Sequence, residues 1–177
     1  MHEKITPEIL QRLAVVYIRQ SSPGQVRNNV ESYRVQSGLV GRARELGFPE
    51  SRIRVIEGDQ GESATLPGTR DGFAEMLELV KSGQVGMIFA FEVARLARNN
   101  LDWNLLIHYC AFIGVVLGDE SEVFDPAIPQ DSLSLGIQAV LAVHELHGIR
   151  KRLDRGLRQK ASRGELHPGV PPGYVCV

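Results

Sequence analysis

Apolar residues arrive in short blocks separated by polar turns, and the spacing within each block predicts its element. Residues 13–18, LAVVYI, form an unbroken apolar run of strand length, the pattern of a strand buried on both faces. A polar loop, RQSSPGQ, follows, with a turn at Pro23-Gly24. Residues 30–46 read as a helix, with Val35, Leu39 and Leu46 on its apolar stripe and Gly47 as its stop. RIRVIE (52–57) alternates as a strand does, and the loop GDQGESATLPGT comes next. Thr69 is placed to cap a helix over 70–82, with Phe73, Met76, Leu77 and Val80 inward and Gly83 ending it. VGMIFAF (85–91) is the clearest central strand. A helix over 101–113 and a short strand, VVLGD (115–119), follow. The loop through Asp125-Pro126 and Pro129 leads to Asp131, the expected N-cap of a long final helix over 132–163.

Four alternations of strand and helix predict an α/β fold: a parallel-type sheet of about four to five strands flanked by helices. The final helix, about 48 Å long at 1.5 Å per residue, exceeds what a small sheet can cover and is expected to project from the domain. Its first half is apolar, its second half basic, and Leu146, Ile149, Leu153 and Leu157 recur at steps of three and four. In open parallel sheets the site lies at the carboxyl ends of the strands. That rule selects Arg19 and Ser21 after the first strand, Asp59 after the second, and Arg95 and Arg98 after the third.

Composition narrows the picture. A chain of 177 residues, 43% hydrophobic and 23% charged, suits one globular domain without disulfide or metal staples. Cys110 and Cys176 form no CxxC pair, which points to a reducing, cytoplasmic setting. The N-terminus lacks the apolar core of a signal peptide, and no apolar run is long enough to cross a membrane. The net charge of −1 hides an asymmetry: residues 150–163 hold seven bases and one acid. Those bases, Arg150, Lys151, Arg152, Arg155, Arg158, Lys160 and Arg163, are candidate contacts to a polyanion such as double-stranded DNA. A solvated helix face accounts for them equally well at this level.

The candidate chemistry begins at Arg19-Gln20-Ser21. On extended backbone Arg19 and Ser21 share a face. A serine hydroxyl needs its proton removed or its alkoxide stabilised, and an arginine fork stabilises negative charge on that oxygen and on a phosphate. Ser22 is a rival nucleophile. Arg95 and Arg98, three residues apart, share a face if their segment is a helical turn, and Arg70 adds a fourth guanidinium near a helix start. Each alone is best read as a surface ion pair; their shared sheet edge favours a phosphoryl site in which arginines replace a metal. No acid cluster resembles a two-metal site, no P-loop or GxGxxG is present, and neither a metal nor a cofactor is expected. His144 and His147 lack a third ligand, while Cys110 and Trp103 read as packing.

IRQSSPGQ, GDQGESATLPGTRDGFAEML, FEVARLARNN and a long helix with HELHGIRKRLDRG, in this order, resemble the catalytic domain of the serine recombinases, the resolvase/invertase family, over residues 13–165. The resemblance implies that Ser21 attacks a DNA phosphodiester and holds the 5′ end as phosphoserine. It implies that Arg19, Arg70, Arg95 and Arg98 surround the scissile phosphate, with Gln25, Gln36 and Asp59 nearby. It implies dimers, active tetramers and a minor-groove crossing for the final helix. The implied organisation is 1–130 catalytic, 131–165 oligomerisation and DNA-contacting helix, and 166–177 the start of a linker to a DNA-binding region. One departure stands out: Ala94 occupies a position where many members carry Asp, and Glu92 is the nearest acid. Two rival readings are a non-catalytic oligomerisation module of a DNA-binding protein and a small phosphohydrolase.

Overall fold

The computed structural model describes residues 2–19, 29–58, 71–97 and 99–165. Two compact units divide the chain, Met1–Ala139 and Val140–Val177. In the first unit the elements run α1 (Pro7–Leu10), β1 (Leu13–Arg19), α2 (Asn29–Glu45), β2 (Ile53–Gly58), α3 (Asp71–Lys81), β3 (Val85–Phe89), α4 (Asn100–Ile113), β4 (Val116–Gly118) and β5 (Val123–Phe124). The final helix, α5, is Pro129–Ser162 and contributes residues to both units.

Among the described residues the five strands form one sheet in the order β2-β1-β3-β4-β5. The first four run parallel, and β5 is antiparallel to β4. The α/β expectation therefore holds: a mostly parallel sheet of five strands flanked by helices.

Alternation along β1 explains why both sheet faces are covered. Val15 and Tyr17 join one core cluster with Phe73, Met76, Leu77 and Val80 of α3, Trp103, Leu106 and Cys110 of α4, and Leu135 and Ala139 of α5. Ala14, Val16 and Ile18 join the other with Leu39 and Ala43 of α2 and with Ile5 and Ile9 of the N-terminal segment. Phe48 meets Phe89 edge-on there, with ring centroids 6.3 Å apart. Gly47, Gly83 and Gly114 end their helices at positive φ, where glycine carries no Cβ penalty.

Three elements depart from the sequence reading. Helix α1 was not foreseen, although Thr6-Pro7 is a start signal: the Thr6 hydroxyl accepts from the Ile9 N–H, and Pro7 sits where its missing N–H costs nothing. Strand β5 falls between the expected strand over 115–119 and the loop at Asp125-Pro126, a stretch to which the sequence reading assigned no element. It is short, and it is made by a turn in which the Asp119 carboxylate accepts from Ser121 N, Ser121 Oγ and Glu122 N at 2.8–2.9 Å. Asp131 is not the N-cap of the final helix. The helix begins two residues earlier at Pro129, and the Asp131 carboxylate accepts from the Asp125 N–H at 2.7 Å and pairs with Lys4 at 2.6 Å.

Candidate functional site

The strand order creates a switch point. From β1 the chain crosses to β2 on one side, and β3 then enters on the other side of β1. The carboxyl ends of β2, β1 and β3 thus lie side by side, neighbouring strands being about 4.8 Å apart. This edge is where open α/β sheets place their ligands.

Of the eight sequence-predicted catalytic residues, Arg19, Gln36 and Arg95 fall among the described residues. Arg19 is the last residue of β1 and stands opposite Gly58, the last residue of β2. Ser21 and Gln25 follow β1 in sequence, Asp59 is the residue after Gly58, and Arg70 precedes α3; all four lie outside the described residues, as does Arg98. Arg95 closes a short 3₁₀ turn, Val93–Arg95, six residues past the end of β3. Gln36 is half-buried on α2, the helix that follows β1. Arg19 thus ends β1, and Arg95 lies on the segment that follows β3, the neighbouring strand.

The segment after β3 is held at both ends. Glu92 is extended, and Val93 and Leu96 are buried in the core cluster beneath α3 and α4. Ala94 is half-buried in the turn between them. Downstream, the Asn99 side chain caps α4 by accepting from the Asp102 N–H at 2.8 Å, and its amide donates to the Asp102 carboxylate at 2.9 Å. Sequence reasoning missed this cap, although Asn-x-x-Asp before an apolar helix is a legible start signal.

The bases of α5 form a second candidate surface. Lys151, Arg152, Arg155, Arg158, Lys160 and Arg163 are all exposed, and the side chain of Arg150 lies outside what is described. Arg158 pairs with Asp154 at 3.0 Å and Arg163 with Glu165 at 3.3 Å. At about 100° per residue, Lys151, Arg155 and Arg158 fall on one face of the helix. Ile149, Leu153 and Leu157, all exposed, fall on roughly the opposite face. Among the described residues no group of His, Cys, Asp or Glu is arranged to hold a metal ion, and no helix is long and apolar enough to cross a membrane.

Comparison with known proteins gives this architecture a family. The model of the resolvase N-terminal domain matches residues 14–166. An uncharacterized protein of Sinorhizobium fredii is 41% identical over 172 residues, 97% of this chain, and the chain spans 25% of that protein's length. A resolvase family site-specific recombinase from Streptococcus pneumoniae shares the fold at a TM-score of 0.50 and 23% identity, covering 85% of this chain and 99% of that one. The N-terminal catalytic domain of TP901-1 integrase superposes at a TM-score of 0.49 and 16% identity over 77% of this chain and 98% of its own. The chain belongs to the resolvase N-terminal domain family, that of the serine recombinases.

Proposed function

We propose that this domain cleaves and rejoins DNA in site-specific recombination, with Ser21 as nucleophile. The observation that carries the proposal is the side-by-side placement of the ends of β2, β1 and β3, in a domain of this family. Those are the strand ends that lead in sequence to Asp59, to Arg19 and Ser21, and to Arg95 and Arg98.

In the proposed step the Ser21 oxygen forms a bond to the phosphorus of a DNA phosphodiester, and the bond from phosphorus to the 3′ oxygen breaks. The serine loses one proton and the departing 3′ oxygen gains one, so charge balances. One phosphodiester is exchanged for another, and attack by a 3′ hydroxyl on the phosphoserine reverses the step without an energy source. Charge on the five-coordinate phosphorus is offset by the guanidiniums of Arg19, Arg70, Arg95 and Arg98, whose planar forks suit phosphate oxygens. That electrostatic role is one a metal would otherwise fill, and the proposed reaction is metal-independent. Gln25 and Gln36 assist in orienting the phosphate, and Asp59 in orienting a guanidinium.

Double-stranded DNA is the proposed partner of the Lys151, Arg155 and Arg158 face of α5. The opposed Ile149, Leu153 and Leu157 face is proposed to pack against a second copy, giving a dimer and, in the active complex, a tetramer. The proposed organisation is a catalytic part over 1–130, this helix over 131–165, and a connection from 166 onward into further sequence of the full-length protein.

Incubation with a nicked duplex that traps the cleaved product tests the reading. A covalent 5′-phosphoseryl adduct is expected, lost in Ser21→Ala and retained in Ser22→Ala. An adduct that persists in Ser21→Ala and vanishes in Ser22→Ala assigns the chemistry to the wrong serine, and no adduct in any form sinks the reading.

A further inference from the structure

The residues ahead of position 14 precede the stretch that defines the family domain, yet they are built into this fold. Ile5 and Ile9 are 2% and 8% exposed and join the core cluster that holds Met87 and Phe89 of β3, Val116 of β4 and Val123 of β5. Helix α1 packs on β3 and β1. Its approach to β3 is close: a Cβ on residue 86 would lie 2.2 Å from the Ile9 carbonyl oxygen, so only glycine fits at Gly86. The Arg12 guanidinium donates to the Ile113 carbonyl at the end of α4, at 3.1 Å, and Arg52 donates to the Leu10 carbonyl at 3.0 Å.

The most distant tie in sequence is Lys4. Its ammonium donates to the Val123 carbonyl of β5 at 2.9 Å and to Oδ2 of Asp131, in the first turn of α5, at 2.6 Å. That same carboxylate oxygen accepts from the Asp125 N–H at 2.7 Å. The Asp131 side chain is 14% exposed, so this is not a solvated surface pair. One ammonium thus joins the N-terminal segment, the edge strand of the sheet and the start of α5.

We propose that residues 2–12 form an intramolecular strap that fixes the first turns of α5 against the β5 edge, with Lys4 as its positioning residue. The apolar anchors Ile5 and Ile9 dock the strap on the sheet, and Lys4 converts that docking into a fixed position for Pro129–Ala139. This role is separate from the chemistry proposed for Ser21 and stands whether or not that chemistry is right.

Amide hydrogen exchange on the full chain tests it, comparing the parent with Lys4→Met, Lys4→Arg and Asp131→Asn. The Ser132 amide, which donates to Ile128 at 2.9 Å, and the amides through Ala139 report on the root of α5. In Lys4→Met they are expected to exchange roughly tenfold faster, the factor that loss of one charge-assisted hydrogen bond corresponds to. Amides of β1 and β3 are expected to keep their rates, and Lys4→Arg to recover most of the protection. Asp131→Asn keeps an acceptor for Asp125 but removes the charge, and is expected to reproduce the local pattern. Unchanged exchange over residues 132–139 in Lys4→Met overturns the proposal. So does an equal rise across the whole sheet in either variant, because that assigns the pair to general stability instead of position.

Discussion

The carbonyl oxygen of Ile9 occupies the space beside Gly86 that a side chain would fill, 2.2 Å from the ideal Cβ position. Gly86 also sits at an irregularity in the pairing of β1 with β3, where Leu13 is opposite Val85 but Ala14 is opposite Met87. Neither the short helix nor the core of the sheet can yield cheaply. Gly86→Ala is expected to destabilise the domain by about 1–3 kcal/mol, the usual range for overpacking. Urea unfolding checks this: the midpoint falls while the slope stays constant. A midpoint within error of the parent means that α1 is displaced at no cost.

Helix α4 offers a contrast between two apolar residues six positions apart. Leu106 is fully buried in the core cluster, and Phe112 is 89% exposed. Leu106→Ala is expected to cost about 2–5 kcal/mol, transfer and cavity effects together. Phe112→Ala is expected to stay within about 0.5 kcal/mol, as surface changes do. Comparable losses at both positions, measured by thermal or urea unfolding, contradict the burial of this helix.

The contrast also shows what was legible in the sequence. Periodicity located the inward residues of α3, since Phe73, Met76, Leu77 and Val80 are all buried, and apolar runs gave β1 as a buried strand and β3 as the central one. Both signals depend on local repetition. What escaped depends on contacts far apart in the chain. Four residues of α1 and two of β5 are too short for any period to register. Asp131 resembled an N-cap because Asp before a helix usually is one, and nothing local reveals that Lys4, 127 residues away, claims its carboxylate. Of the candidate site, sequence order gave only that Arg19 closes the first strand and that Arg95 follows the strand over 85–91; that these two strands are neighbours is a matter of sheet order. Which face each guanidinium takes there is a tertiary matter beyond periodicity.

One buried group, Cys110, and one half-buried group, Asp131, predict how stability depends on pH. Burial pushes the Cys110 thiol up to about 12. Its folded value is raised, so the associated stability is complete below the ordinary thiol range, about 8.5, and is lost as pH rises from there toward about 12. Burial pulls Asp131 upward too, but the Lys4 ammonium and the Asp125 N–H outweigh it and hold its carboxyl below the usual range. Its folded value is depressed, so its contribution is present above about pH 4 and is lost as pH falls through the folded value. Unfolding measured across pH is expected to show both losses. Cys110→Ala removes the alkaline one and Asp131→Asn diminishes the acid one; alkaline loss that is unchanged in Cys110→Ala has another source.

If guanidinium forks stabilise the phosphoryl transition state, charge alone does not replace them. Arg95→Lys and Arg98→Lys are each expected to slow adduct formation by about 10²–10³, the cost of losing one preorganised donor. Adduct formation by the parent is expected to be unchanged in EDTA. Full activity in both lysine variants, or a strict magnesium requirement for cleavage, removes the arginine-based account.

The basic end of α5 makes a quantitative prediction about salt. Seven bases lie between positions 150 and 163, and if every one met a phosphate the dependence of log affinity on log salt would have a slope near −6, at about −0.9 per contact. A helix presents one side to a duplex. The face bearing Lys151, Arg155 and Arg158 is roughly opposite the apolar face of Ile149, Leu153 and Leu157, which a second copy is proposed to cover. Three contacts give a slope of about −3. Arg158 already shares its charge with Asp154 at 3.0 Å, so Asp154→Asn is expected to tighten binding by releasing it. Arg155→Ala is expected to reduce the slope by about one and to weaken all duplexes alike, as loss of a phosphate contact does. Lys160→Ala, on a different side of the helix, is expected to leave the slope nearly unchanged. A salt-titrated binding assay on the three variants decides the matter. Equal effects of Arg155→Ala and Lys160→Ala mean that the helix has no preferred face toward DNA, and a slope near zero removes the duplex as its partner.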